Sequence, residues 1–376
     1  MLRHWLRNRF IEFFRKALVS DEGRAAVAEA LGAGTARFRC EGLDLRDEPP
    51  YPGLGRADGD FSGRAAAAPI FITGRFRSGT TLLWNVFRHV PGCTAYYEPF
   101  NERRWFDPRV RGGHVDTSHR GVSDYWREYD GLASLGDLYD EDWIRRDLLM
   151  DERSWNPAMR EYLQRLIDHA PGQPVLQFNR LDFRLPWARR NFPTAKLVHI
   201  YRHPRDQWCS TFLRTAPFPR DGRMEAFAAH DEFYLRMWAR DLRLHFPFLD
   251  ERQVEHPYQL FYYVWKLSYL FGRTFADYSL AMEELIAEPG AMLGELFEAV
   301  DLPRAGACRA EKLIERPRLG RWREYAGEAW FVRHESHCET VLEEFLHGSA
   351  VGGPSPDAEH LRSVAEISET LTVVHG

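Results

Sequence analysis

Lysine and paired cysteine are both scarce in this chain. Its 376 residues include only four lysines, Lys16, Lys196, Lys266 and Lys312, and five scattered cysteines with no C-x-x-C pair. A zinc ribbon or a disulfide framework needs regularly spaced cysteines, so we expect neither of them. The cysteine pattern instead favours a reducing, cytoplasmic compartment.

The sequence also lacks a long apolar run and a surplus of basic residues. No stretch approaches the roughly 18 apolar residues that a membrane-spanning helix requires. The net charge of −5 argues against a general nucleic-acid binder, which needs cations for its phosphate contacts. With 44% hydrophobic residues, the chain can build a sizeable core, as one large α/β domain or two smaller ones.

The N-terminal segment, residues 1–20, carries five cations against the single acid Glu12, and its apolar residues fall on one helical face. This pattern predicts a basic amphipathic helix. Such a helix either docks on its own domain or makes peripheral contact with an anionic membrane, and we favour docking. We assign residues 1–68 to this helix and an irregular segment, and residues 347–376 to a C-terminal tail.

Short apolar runs alternate with helical patterns between residues 69 and 346. The strand-like runs are Pro69–Gly74, Thr94–Tyr97, Val175–Phe178, Lys196–Tyr201 and Tyr278–Met282. This alternation predicts an α/β fold, a P-loop-like three-layer domain whose central parallel sheet is flanked by helices. Residues 101–160 are polar and aromatic, and we expect them to form helices and loops laid over the sheet.

A glycine-rich run, Gly74-Arg-Phe-Arg-Ser-Gly-Thr-Thr81, lies between a predicted strand and a predicted helix. It nearly matches the nucleotide-binding loop G-x-x-x-x-G-K-[ST], but Thr80 stands where that loop has its lysine, and a cation appears earlier, at Arg77. Backbone N–H groups at a helix N-terminus suit an anionic phosphate. Loss of the lysine argues against triphosphate chemistry with magnesium, whereas a 5′-phosphosulfate needs only a shorter cradle with one cation.

A second polar run follows the predicted strand at Lys196–Tyr201. Arg202 stands at the strand end, Pro204 suits the first turn of a helix, and Ser210 lies about two turns further on. An arginine fork and a hydroxyl together suit a phosphate. The alternative is a capped helix in which Arg202 pairs with Asp206.

Both runs resemble motifs of the superfamily of sulfotransferases that use 3′-phosphoadenosine 5′-phosphosulfate (PAPS), and they occur in the superfamily's order. The resemblance extends from about Ile70 to Tyr325, and the late run Arg318–Tyr325 is similar to a Gly-Arg-Trp loop that covers the 3′-phosphate in many bacterial members. The cytosolic small-molecule branch usually has tryptophan directly after the two threonines. This chain has Leu82 there, so it is more similar to the bacterial, carbohydrate and tyrosyl-protein branch.

The resemblance implies an enzyme that transfers a sulfonate group from PAPS to a hydroxyl or amine, with no metal required. It implies that residues 69–346 form the sulfotransferase domain, with residues 101–160 on the acceptor side. Arg77 would contact both the 5′-phosphate and the transferring sulfonate, and would act in catalysis. The implied PAPS-binding residues are Arg75, Arg77, Ser78, Gly79, Thr80, Thr81, Arg202, Ser210, Arg321 and Trp322.

Glu98 is the candidate general base. The run Tyr96-Tyr-Glu-Pro-Phe100 resembles the Glu-Pro that carbohydrate-type members carry after the second strand. An alternative is that Glu98 only forms an ion pair with Arg103, Arg104 or another arginine. His114 and His119 are the reserve candidates for the base.

The acceptor is expected to be a small molecule, a lipid or a carbohydrate, and not a nucleic acid. Two other functions stay open. The chain could be a P-loop kinase acting on a small molecule, although the missing lysine argues against it. It could also be a catalytically inactive PAPS-binding module, although the intact arginines and Glu98 argue against decay.

Overall fold

A five-stranded parallel sheet forms the centre of the protein, in the order β2-β3-β1-β4-β5. The strands are β1 (Ile70–Thr73), β2 (Cys93–Tyr97), β3 (Gln173–Phe178), β4 (Lys196–Tyr201) and β5 (Tyr278–Ala281). The computed structural model describes residues 20, 22–26, 68–112, 122–212, 215–314 and 316–347. Apart from Ser20, the predicted helix at residues 1–20 lies outside the described residues, as does the tail after His347.

Helices cover the sheet and follow most of its strands. They are α1 (Thr80–Arg88), α2 (Pro157–His169), α3 (Leu185–Asn191), α4 (Pro204–Cys209), α5 (Leu235–Leu242), α6 (Pro257–Phe275), α7 (Met282–Ala287), α8 (Pro289–Ala299), α9 (Ala307–Ala310), α10 (Trp322–Tyr325) and α11 (Glu328–His347). None of the helices within the described ranges is both long and apolar enough to cross a membrane.

The three-layer α/β fold predicted from the sequence is confirmed. All four β1 residues are completely buried, and β1 pairs in parallel with β3 on one side and with β4 on the other. A strand that is covered on both faces must be apolar throughout, which is why the sequence showed a continuous apolar run instead of an alternating pattern. The five predicted strands each match an observed strand to within two residues at either end.

Most aromatic residues of the segment at residues 101–160 belong to the core, whereas Trp155 is 52% exposed. Trp105, Tyr125 and Trp143 are each at most 5% exposed. Tyr125 stacks on Trp84 of α1 with ring centroids 5.3 Å apart, and Trp143 packs edge-on against Phe100 at 5.5 Å. Aromatic side chains therefore pack this segment against α1 and against the loop that follows β2.

The tight contact between α6 and β4 yields a stability prediction. A Cβ atom at Gly272 would collide with the buried ring of His199. We expect Gly272→Ala to destabilise the fold by about 1–3 kcal/mol, the usual cost of overpacking a core. Urea unfolding would measure this change.

Gly136→Ala is the matched control, because its new methyl group would meet only the Phe106 ring, at an ordinary 3.6 Å. It should leave the free energy of unfolding nearly unchanged. If the two variants were equally stable, α6 and β4 would have room for the added methyl group and would not be in tight contact.

Candidate functional site

The loop between β1 and α1 lies at the carboxyl edge of the sheet. Arg77 and Gly79 have φ angles of 70° and 107°, so the backbone turns sharply before the helix begins at Thr80. Glycine adopts such a conformation without steric cost. The first hydrogen bond into the helix runs from Leu83 N–H to the Gly79 carbonyl at 3.2 Å. The N–H groups of the first helical turn before Leu83 therefore have no acceptor within the helix and suit an anion.

The hydroxyl groups of this loop have different surroundings. Thr80 Oγ1 donates to Asn179 Oδ1 at 2.7 Å, and Thr81 Oγ1 lies 3.3 Å from Tyr97 Oη. Ser78 Oγ is buried and has no hydrogen-bond partner among the described residues. A buried polar atom without a partner destabilises a protein unless water or a ligand satisfies it, so Ser78 is a strong candidate ligand contact.

Arg202, at the carboxyl end of β4, lies beside the loop. Its Nη1 donates to the Arg77 carbonyl at 3.5 Å, and its Nε is buried with no partner in the described part of the chain. Arg77 Nε donates in turn to the carbonyl of Ser210, at the end of α4, at 3.1 Å. Burial lowers the pKa of Arg202, while the charges of Asp206 and Glu283 oppose this shift. Arg77, Arg202 and Ser210, three predicted site residues, are thus brought together.

The late loop that contains Arg321 and Trp322 is attached to α4. Asp206 accepts hydrogen bonds from the backbone N–H groups of Gly320 at 2.8 Å and Trp322 at 3.4 Å. Asp206 therefore anchors this loop through two backbone hydrogen bonds. The alternative considered from the sequence, in which Asp206 only pairs with Arg202, does not account for these bonds. Besides burial, the charge of Arg321 lowers the pKa of Arg202, so the loop adds another cation to the group.

Glu98 lies directly after β2, at the same edge of the sheet, and is 4% exposed. Its Oε1 accepts a hydrogen bond from Asn179 Nδ2. Its Oε2 accepts from Asn101 Nδ2 at 2.9 Å and from Arg180 Nη1 at 2.6 Å. Because all three partners are donors, the carboxylate is held as an acceptor in a fixed orientation. Its φ of 41° is rare for a residue with a side chain and is typical of functional sites.

Arg180 joins Glu98 to a second carboxylate. Its Nη2 donates to Glu102 at 2.7 Å, and Tyr234 Oη also donates to Glu102, at 2.9 Å. Burial opposes the charge on Arg180, but Glu98 and Glu102 outweigh this effect and raise its pKa. The ion pair considered from the sequence is present, with Arg180 as the partner of Glu98.

Asn179 is the site residue that sequence reasoning missed. It follows β3 directly, donates to Glu98 Oε1, and accepts from Thr80 Oγ1. It therefore connects the candidate base to the loop between β1 and α1, residues 74–79, which we call the phosphate loop after its proposed role. Its position could have identified it from the sequence, because Asn179 directly follows a buried strand, as do Gly74, Glu98 and Arg202.

Arg75 differs from the other predicted site residues in its surroundings. It is 6% exposed, and its guanidinium lies 4.1 Å from the ring centroid of Trp238 and 5.8 Å from that of Phe76. Burial lowers the pKa of Arg75 to about 10, and the charges of Asp182 and Asp231 oppose this shift. Its role in binding PAPS stays a prediction.

Trp84 is a core residue, because it is completely buried and its Nε1 donates to the Ala95 carbonyl at 2.8 Å. It cannot replace the tryptophan that is missing at Leu82. His114 and His119, the reserve bases, lie outside the described residues. Among the residues that are described, no group of three His, Cys, Asp or Glu side chains is arranged to hold a metal ion.

Solved structures of three sulfotransferases are similar to the chain. STF9 from Mycobacterium avium is 14% identical, with 86% of this chain and 83% of that one covered and a TM-score of 0.41. STF1 from Mycobacterium tuberculosis is 17% identical, with 88% and 85% covered and a TM-score of 0.39. The sulfotransferase domain of the Synechococcus olefin synthase is 18% identical, with 80% and 94% covered and a TM-score of 0.35.

Sequence comparison identifies the family. No curated protein matches the chain significantly. The model of the sulfotransferase family, however, matches residues 69–262, slightly more than half of the chain. This match contains the loop after β1, the strand end at Glu98, the Asn179–Arg180 pair and the Arg202–Ser210 motif. The chain therefore belongs to the sulfotransferase family.

Proposed function

We propose that the chain transfers a sulfonate group from PAPS to an acceptor hydroxyl, with Glu98 as the general base. The observation that carries this proposal is that Glu98 and the Arg77–Arg202 pair flank the same loop. Thr80 is linked to Glu98 through Asn179 on one side, and Arg77 contacts Ser210 and Arg202 on the other. A proton acceptor thus lies close to a cationic anion-binding group, as this transfer requires.

The residues on the cationic side fit a donor with two phosphates. Arg77, Ser78 and the N–H groups of α1 would hold the 5′-phosphosulfate, and Arg202 and Ser210 would hold the 3′-phosphate. Ser78 Oγ and Arg202 Nε, which lack partners among the described residues, would gain them. Arginine suits this task because its planar fork can make paired hydrogen bonds to phosphate oxygens. When bound, PAPS supplies the sulfonate group and a bisphosphate leaving group.

On the acceptor side of the site, one proton passes from the acceptor hydroxyl to Glu98. As the acceptor oxygen bonds to sulfur, the bond from sulfur to the 5′-phosphate oxygen breaks, and its electron pair leaves with the bisphosphate. Arg77 stabilises the charge that develops there. Glu98 takes the acceptor proton on Oε1, because Oε1 has one donor partner whereas Oε2 has two.

Glu102 supports this role of Glu98. When Glu98 is protonated, Arg180 loses one counter-charge, and an unpaired buried charge is strongly destabilising. Because Arg180 also donates to Glu102 at 2.7 Å, its guanidinium keeps an anionic partner throughout. This arrangement lets Glu98 gain and lose a proton without disrupting the site. The proposal covers a small-molecule, lipid or carbohydrate acceptor with a hydroxyl group, whose proton must be removed during transfer.

Nucleotide binding tests the donor. We expect 3′,5′-adenosine bisphosphate to stabilise the fold without added metal, by about 2.7 kcal/mol at 100 times its Kd. Thermal unfolding in EDTA would measure the shift. If 5′-AMP stabilised the protein equally, the 3′-phosphate assignment would be wrong, and a larger shift with Mg·ATP would favour the kinase alternative.

A substitution tests the 3′-phosphate site. Arg202→Ala removes a charge-assisted contact and should weaken bisphosphate binding by about 1.5–3 kcal/mol. Calorimetric titration would measure this, with Arg165→Ala on the outer face of α2 as the control that should bind like the unmodified protein. Unchanged affinity of Arg202→Ala, in a folded protein, would mark this arginine as structural.

The general base is tested by Glu98→Gln, which keeps the size of the side chain but cannot take a proton. Turnover of an alcohol acceptor, selected in a screen with labelled PAPS, should fall by about 10²–10⁴. Bisphosphate affinity should stay within a few-fold, because Glu98 is not placed on the phosphates. Glu161→Gln, which changes a half-buried carboxylate on α2, is the matched control.

Two results for Glu98→Gln would contradict the assignment. Near-normal turnover would mean that another residue takes the proton, with His114 and His119 the next to be replaced. An unfolded variant would mean that Glu98 mainly neutralises Arg180. An amine acceptor that is already neutral is unsuitable for this assay, since its attack depends less on a base.

A further inference from the structure

A polar cavity of about 780 Å³ opens beside β2, the edge strand of the sheet. Its walls come from β2, from the C-terminal half of α1 and from residues 122–130. The phosphate loop joins α1 at its other end. Since a helix rises 1.5 Å per residue, Arg88 in the cavity wall lies about 12 Å along α1 from Thr80. The cavity is thus separate from the site that we assign to sulfonate transfer.

Three buried oxygen atoms of the cavity-lining residues have no hydrogen-bond partner among the described residues. They are Asn85 Oδ1, Tyr96 Oη and Glu128 Oε2. Tyr96 is completely buried. Folded proteins seldom leave buried polar atoms unsatisfied, and here three of them occur around one cavity. This concentration indicates a site built for a ligand.

Carboxylates outnumber guanidinium groups in the part of the cavity wall around Arg88. Arg88 donates to Glu128 Oε1 at 2.7 Å and to Asp124 Oδ1 at 2.8 Å, so two carboxylates surround one guanidinium. Burial raises the pKa of Glu128 in spite of the opposing effect of Arg88, so the ionised carboxylate would be stabilised further by a second nearby cation. At the rim, Asp130 is paired with Arg111 at 2.9 Å, and Arg127, His89 and His169 also line the cavity. The excess of carboxylate is therefore local to Arg88, and there it favours a positively charged group of a ligand.

We propose that this cavity binds a small molecule that carries an ammonium group. A carboxylate oxygen and an amide oxygen only accept hydrogen bonds, and a phenol hydroxyl can accept one. The ligand must therefore supply donors. An ammonium group offers three donors and the compensating charge, whereas a phosphate, sulfate or carboxylate would add acceptors and repel Glu128. The cavity is accordingly not a second site for the nucleotide.

Titration calorimetry with three ammonium probes, glucosamine, putrescine and spermidine, tests this proposal, with glucose as the uncharged match for glucosamine. We expect saturable binding of at least one probe with 1:1 stoichiometry, and none of glucose. Glu128→Gln should weaken binding at least ten-fold. The control Glu161→Gln changes a half-buried carboxylate on α2 that is paired with Arg165. It should not weaken binding, which separates the site from general attraction to an acidic protein. Bisphosphate affinity should be the same in all variants.

Tyr96→Phe provides a second test that does not disturb the Arg88 ion pairs. It removes only the unpartnered hydroxyl, so Tm should stay the same or rise while probe binding weakens several-fold. The proposal is wrong if no ammonium probe binds at millimolar concentration, if glucose binds as well as glucosamine, or if Glu128→Gln binds normally. A clear fall in Tm for Tyr96→Phe would show that ordered water already satisfies the hydroxyl and that the cavity is merely hydrated.

Discussion

The parallel register of β1 between β3 and β4 determines where the polar groups of the site lie. Thr73 at the end of β1 is opposite Phe178 of β3 and His199 of β4. The residues that follow these strands therefore emerge at one edge, beside the residue that follows β2. A slip of one residue in any strand would exchange the faces that its side chains occupy. Because both faces of the central strands are packed, the misfit would be in side-chain shape and volume. The hydrophobic core thus fixes the geometry of polar groups that it does not contact.

Charge burial is the second constraint on this edge. Glu98 and Arg180 are at most 4% exposed, and removing Arg180 would leave the buried Glu98 carboxylate without its cation, which usually costs about 3–5 kcal/mol. Such groups persist only where each has several fixed partners. Asn179 supplies one of them and also contacts Thr80, so the orientation of the candidate base depends on the phosphate loop. Prearranged polar groups of this kind need little reorganisation during a reaction.

The sequence predicted the strands and located the two runs that we propose bind phosphate, but not the contacts between them. A strand that is buried on both faces is recognised as a short apolar run, and the loop before α1 is recognised by its glycines and Arg77. Both patterns lie within a few consecutive residues and can therefore be read from the sequence. The Glu98–Arg180 pair joins residues 82 positions apart, and no spacing rule connects them. The sequence also does not show that the aromatic residues near Trp105 are buried, because their burial depends on how 3₁₀ turns and loops pack against α1.

The two ends of helix α1 favour ligands of opposite charge. At its N-terminus the backbone offers N–H donors, with Arg77 and Ser78 nearby, and an anion satisfies them. At its C-terminal half, Asn85 and the neighbouring Glu128 offer acceptors without donors. The helix dipole favours an anion at the first end and a cation at the second, but each effect is only about 0.3–1 kcal/mol and is screened by salt. Side chains must therefore supply most of the discrimination between anions and cations. They act in the same direction as the dipole at both ends of α1, with arginines beside the N-terminus and two carboxylates around Arg88 in the last turn.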